Sequence, residues 1–136
     1  MKKFEYIDIS TADIAFIAYG KDLSELFSNS ALAMYEVMVD TSKIEEKIEK
    51  EVIVEGNDLE SLMFNWLNEL LYITDTEKIV FKSFDIKIEN FKIFAKCRGE
   101  TISEKHNPKT VVKAATYHLL KIWKNDVWKA QVILDI

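Results

Sequence analysis

One cysteine, one proline and three glycines in 136 residues exclude several functions at once. The single thiol, Cys97, has no partner for an internal disulfide and cannot build a Cys-rich zinc site, which fits a reducing compartment. Three glycines leave no room for a dinucleotide fingerprint or a glycine-rich phosphate loop, and neither Gly-x-Ser-x-Gly nor His-Glu-x-x-His occurs. So few prolines and glycines also leave little chain for linkers or disordered tails. No apolar run is long enough to cross a bilayer, and Met1-Lys2-Lys3 leads directly into Phe4-Glu5-Tyr6-Ile7-Asp8-Ile9 rather than into a signal-peptide core. The expectation is a cytoplasmic protein with no membrane partner. Excess positive charge is missing too. The net charge is −5, and the lysines alternate with glutamates, as in Ile44-Glu45-Glu46-Lys47-Ile48-Glu49-Lys50-Glu51, a solvated face that protects a sheet edge. A phosphate backbone is gripped by clustered Lys and Arg, so direct nucleic-acid binding is not expected.

What is present is core-forming residues: 49% hydrophobic and 12% aromatic, enough for a single domain spanning residues 1–136 with a proper core. Asp22, with Glu25 three residues on, has the form of a capping box opening a first helix, and Leu23, Leu26, Phe27, Ala31, Met34, Tyr35 and Met38 follow at helical spacing. Asp40-Thr41-Ser42 ends it. Gly56-Asn57-Asp58 starts a second helix, where Leu59, Leu62, Met63, Trp66, Leu67, Leu70 and Leu71 keep the i, i+3, i+4, i+7 rule without a miss. At 100° per residue Asn65, Asn68 and Tyr72 fall on the far face, while Glu69 lies at the edge of the apolar stripe and is expected to be partly buried. The remaining segments read as strands: Phe4 to Ile9, Ile14 to Tyr19, Glu51 to Glu55, a stretch around Phe84 to Ile88, a tight turn at Asn90 into Phe91 to Cys97, a β-rich run from Thr110 to Trp123, and a last strand from Val127 to Ile136. Gly99 to Lys109 reads as a polar loop. Hairpin-joined strands with two long packed helices give an α+β fold with a mainly antiparallel sheet.

Candidate chemistry is sparse. His106 in the polar loop and His118 in the β-rich run read as structural, as do Trp66, Trp123 and Trp128, and no residue is assigned a catalytic role. Oxygen donors remain. The last strand ends on Asp135-Ile136, which holds the Asp135 carboxylate beside the terminal α-carboxylate of Ile136, and anions that close repel unless a cation sits between them. Asp13 stands at the mouth of the second strand. If the first and last strands of the sheet lie side by side, Asp13, Asp135 and Ile136 form an all-oxygen cage suited to a hard cation such as Ca²⁺ or Mg²⁺; taken alone, Asp13 reads equally as a turn or cap residue. Glu69 is either a carboxylate that needs a cation or donor, or an ordinary flanking glutamate.

The chain resembles the archease family, the small protein partners of RtcB-type tRNA-splicing RNA ligases. The resemblance runs over essentially the whole chain: Tyr6 with Ser10-Thr11-Ala12-Asp13, Ala18-Tyr19-Gly20, Leu23-Ser24-Glu25-Leu26-Phe27, Glu55-Gly56-Asn57-Asp58-Leu59, Asn65 through Tyr72, Val112 through His118, and Leu134-Asp135-Ile136. It implies an archease-like α+β fold and a non-enzymatic activator that promotes guanylylation of the ligase and multiple turnover in tRNA splicing. It also implies a metal site, calcium in family crystals with magnesium or manganese as other candidates, through Asp13, Asp135 and Ile136, and activation residues matching Glu69 and Lys113. A second role linked to the family is chaperone and specificity factor for a tRNA cytosine methyltransferase. A metal-dependent hydrolase using the same carboxylates ranks last, since no nucleophile or base cluster accompanies them. The chain departs from the family pattern at Ser10, where a His is usual, and at Val111, where an acidic residue is common.

Overall fold

The computed structural model describes residues 1–9 and 13–136. Among these residues the chain forms strands β1 (Phe4–Ile7) and β2 (Asp13–Gly20), helix α1 (Leu23–Met38), β3 (Ile48–Glu55), helix α2 (Leu59–Glu77), and then β4 (Ile79–Glu89), β5 (Lys92–Thr101), β6 (Ala114–Ala115), β7 (Lys121–Lys124) and β8 (Trp128–Asp135). All pairings are antiparallel. One sheet runs β1-β2-β8, with β6 and β7 sharing the other edge of β8; the second runs β3-β5-β4. Both helices touch both sheets and each other, as an α+β fold requires of apolar helix stripes.

Each helix begins in the same way. Gly20 and Gly56 end β2 and follow β3, and a Cβ on either would stand 2.4 Å from the Leu26 nitrogen or 2.6 Å from the Leu62 nitrogen. Only glycine lets the strand come so close to the helix six residues on. Two residues later an aspartate caps the helix: Asp22 accepts from the Glu25 amide at 2.8 Å and Asp58 from the Ser61 amide at 2.7 Å. The expected capping box at α1 is displaced by one residue, because Glu25 Oε1 accepts from the Lys21 amide at 2.9 Å rather than from that of Asp22. At α2 the box closes, with Ser61 Oγ accepting from the Asp58 amide. The same Gly-x-Asp-Leu junction thus opens both helices.

The helices are joined through polar tips as well as packing. Trp66 on α2 donates from Nε1 to the Phe27 carbonyl at 3.0 Å. The Tyr35 hydroxyl lies 3.2 Å from the Leu70 carbonyl and 2.8 Å from Thr74 Oγ1, with its ring stacked on Phe84. Burial pushes the Tyr35 phenol far up, so it stays protonated.

Four expectations need correction. The strand around Phe84 begins at Ile79, and its strand partner β5 continues through Gly99 to Thr101, into what reads as loop. Gly99 to Lys109 is not simply a solvated loop either: His106 is fully buried, its Nδ1 accepting from the Ser103 amide at 3.0 Å and its Nε2 lying 3.1 Å from Glu100 Oε2. Of the run from Thr110 to Trp123 only Ala114–Ala115 and Lys121–Lys124 are strand, and His118 lies in a turn between them. Asn68 does not look into solvent; it is half-buried and bonded to β6.

Candidate metal centre at the end of the β2–β8 ladder

β2 and β8 pair along their whole length, which sets Asp13 directly opposite Asp135. Directly opposed residues of antiparallel strands emerge on one face with Cβ atoms about 4.5–5.5 Å apart, so the two carboxylates are held together by register. The neighbour of the last strand is β2, not the first strand; β1 lies outside it. On the other side of β8, Ala114 pairs with Asp135. The Lys113 amide donates to the Asp135 carbonyl at 2.7 Å, which fixes the backbone of this exposed lysine beside that of Asp135. Ile136 packs its side chain against the core, which restrains the backbone just beyond Asp135.

The surroundings are acidic. Asp13 lines a groove of about 360 Å³ with Asp8, Glu36, Tyr6 and Lys109. Glu36 is committed within it, accepting from Thr41 Oγ1 at 2.6 Å and pairing with Lys109 Nζ at 3.0 Å. The Tyr6 hydroxyl donates to the Ala33 carbonyl at 2.8 Å, and burial, followed by the nearby Glu36 charge, raises its pKa. Among the described residues no three His, Cys, Asp or Glu side chains converge on one point. A cation at Asp13 and Asp135 would therefore need further oxygens from the Ile136 carboxylate, the backbone or water, a donor set that suits Ca²⁺ or Mg²⁺ and not a soft metal. Ser10, the position where the family His is usual, lies outside the described residues.

Glu69 sits apart from this pair. It is half-buried on α2, beside a shallow groove shared with Glu55, Asn65 and Tyr72. The residue linking it to the carboxylate end is its neighbour Asn68, which the sequence pattern placed on the wrong face. Asn68 Nδ2 donates to the Ala115 carbonyl and Asn68 Oδ1 accepts from the Ala115 amide, both at 3.0 Å. This two-way clasp fixes the two-residue strand β6, and through it the position of Lys113 beside Asp135. Val111, where the family pattern is often acidic, is 76% exposed. Lys109, Glu36 and Asn68 were missed in the sequence because isolated polar residues carry no periodic signal.

The Archease protein family (MTH1598/TM1083) matches residues 4–136. Protein archease of Methanothermobacter thermautotrophicus is 46% identical over 141 residues, and that of Pyrococcus abyssi 47% identical over 143, each alignment covering 100% of both chains. The solution structure of Methanobacterium thermoautotrophicum protein 1598 superposes with a TM-score of 0.88 at 45% identity, again covering 100% of both chains. With the same α+β architecture, and relatives matched from end to end, the chain belongs to the archease protein family.

Proposed function

We propose that this protein is a non-enzymatic activator of an RtcB-type RNA ligase and acts through a divalent-cation site built on Asp13 and Asp135. The observation that carries the reading is the register of β2 on β8: two carboxylates are set opposite each other, and the Lys113 backbone is bonded to that of Asp135. Such a pair is destabilising unless a cation neutralises it. A bound divalent ion would supply a hard, exchangeable coordination sphere of the kind phosphate oxygens enter. The residues of the chain do the rest. Asp13 and Asp135 orient oxygens toward one point from neighbouring strands; the Ile136 carboxylate adds a third anion; Lys113 offers a mobile cation to a phosphate or carboxylate of the partner; and Glu69, half-buried on α2, presents a carboxylate to the ligase surface away from the ion.

A time course of ligase guanylylation tests this. Asp13→Ala and Asp135→Ala variants, shown by circular dichroism to be folded, are expected to lose most of the acceleration given by the wild-type protein, with Lys113→Ala and Glu69→Ala reduced as well. Full acceleration by both aspartate variants would remove the carboxylate pair from the mechanism.

A further inference from the structure

At the end of the five-stranded sheet away from Asp13 lies a row of residues that the proposed activation site does not use. Trp123 on β7, Lys129 on β8 and Tyr19 on β2 are cross-strand partners, so their side chains leave the sheet on one face. That face is the outer one: Ala18 and Ala130, next in line, are fully buried, and Ile122 rather than Trp123 packs on the core. With strands about 4.8 Å apart, the two aromatic residues stand about 10 Å from each other with the lysine between them. Lys121 Nζ lies 4.8 Å from the Trp123 ring centroid and Lys129 Nζ 5.8 Å from that of Tyr19. Cation and ring alternate along the row, and a half-open tryptophan on an outer sheet face contributes little to the core.

Charge is distributed unevenly. Among the described residues this corner holds Lys2, Lys3, Lys121, Lys124 and Lys129, with Glu5, Asp126, Glu25 beside Lys3 and Glu60 bonded to the Ile122 amide as the acidic neighbours, in a chain whose net charge is −5. Glu5 is already engaged: hydrogen bonds from Lys2 first, then from Tyr19, hold its carboxylate below the usual range. A groove of about 440 Å³ opens beside Tyr19, lined also by Lys2, Asn125 and Lys129. Local potential within a Debye length of about 8–10 Å depends on these neighbours and only weakly on the distant acidic surface.

We propose that the Tyr19–Lys129–Trp123 row is a stacking platform for a short single-stranded RNA segment. Aromatic faces interleaved with lysines match a chain of bases and phosphates, since every base has a π-face and each phosphate an anion for the lysine between the rings. The spacing selects a single strand. Bases stacked in a duplex are about 3.4 Å apart, whereas rings about 10 Å apart receive bases that have left one another. One base rests on Trp123, another on Tyr19, and the intervening phosphate meets Lys129. The platform is about 20 Å from the Asp13–Asp135 pair along β2, so the two sites are separable by mutation. The choice of RNA over DNA rests on the function proposed above; the stacking geometry does not.

The test is fluorescence anisotropy of a labelled octauridylate titrated with the whole protein, without ligase and with EDTA present. Saturable binding is expected, weakening by roughly 20-fold between about 50 and 200 mM salt if three phosphates are neutralised. Trp123→Ala is expected to weaken it by at least about fivefold, and Lys129→Glu, a change at a solvent-reaching side chain, by a similar factor; Asp13→Ala is expected to leave it unchanged. An RNA duplex of the same length is expected to bind at least about fivefold more weakly, because its bases are unavailable for stacking. Absence of saturable binding to the wild-type protein at low salt, indifference to Lys129→Glu, or duplex binding as tight as single-strand binding would each overturn the platform. Tighter binding of an oligodeoxyuridylate than of the RNA would overturn the assignment to RNA. None of these results depends on guanylylation, so failure of the activator reading is seen separately.

Discussion

Replacing Asp13 by Asn should make the cation-free protein more stable and the calcium-loaded protein less so. The pair Asp13–Asp135 is fixed by strand register, and two unit charges about 6 Å apart repel by about 0.7 kcal/mol at the dielectric constant of water and about 2.8 kcal/mol at an effective value of 20. Asp135 is exposed and Asp13 only half-buried, so screening keeps the cost near the lower bound, in line with the up to about 1 kcal/mol found for paired residues across strands. For a chain of this size that corresponds to a melting temperature about 3 °C higher in EDTA for Asp13→Asn. In calcium at 100 times its dissociation constant the wild type gains about 2.7 kcal/mol, and with the variant failing to bind, the order inverts: after its initial deficit of about 3 °C is made up, the wild type melts about 6 °C higher. Scanning calorimetry of both proteins in EDTA and in calcium reads both differences. If Asp13→Asn is less stable under both conditions, Asp13 is a turn or cap residue and the reasoning from charge repulsion fails; an equal calcium shift in both proteins would refute its role as a ligand.

Two other perturbations follow from the hydrogen-bond network. Asn68→Ala removes the clasp on Ala115 and leaves a buried amide and carbonyl without partners, so urea denaturation should show a loss of about 2–4 kcal/mol, and hydrogen exchange should report lost protection at residues 113–116; unchanged exchange there would mean that β8 alone holds β6. Glu100 accepts from the Glu45 amide at 2.6 Å and from Lys105 and His106, and these bonds, the first largest, hold its carboxyl down at about 2, below its unfolded value of 4.5. Its folded pKa being depressed, its contribution to stability is complete above pH 4.5 and is lost as pH falls toward 2. Glu100→Gln should therefore flatten the decline of stability across that window, measured by urea denaturation at successive pH values.

The sequence made the helices legible because their apolar stripes were regular, and β8 because Ala130, Val132 and Leu134 share one apolar face, with Ile133 buried on the other. It failed where burial and alternation part company. Ile79, Val80 and Phe81 are all buried in succession, and a bulge between Phe81 and Ser83 shifts the register, so the start of β4 shows no period of two. Glu100 is a charged residue only 7% exposed, which disguised the end of β5 as loop. From Thr110 to Trp123 the β-branched and aromatic residues carry strand propensity, but the free edge of β8 has room only for Ala114–Ala115 and Lys121–Lys124, and propensity gives way to topology. The carboxylates could be named from sequence, but their juxtaposition could not, since it depends on strands more than a hundred residues apart pairing in one register. The net charge describes the chain as a whole and carries no information on how the lysines are distributed over its surface.

Calcium titration by isothermal calorimetry addresses the central claim most directly, comparing the protein ending at Ile136 with one extended by a few residues beyond it and one extended before Met1. Extension past Ile136 replaces a carboxylate by a peptide carbonyl. The account predicts saturable binding that is weakened at least about tenfold, the equivalent of 1.4 kcal/mol, by the carboxy-terminal extension, abolished by Asp13→Ala, and unaffected by the amino-terminal extension. Equal affinity in all three unmutated forms would contradict a ligand at Ile136, and equal affinity in Asp13→Ala would contradict the cation site itself.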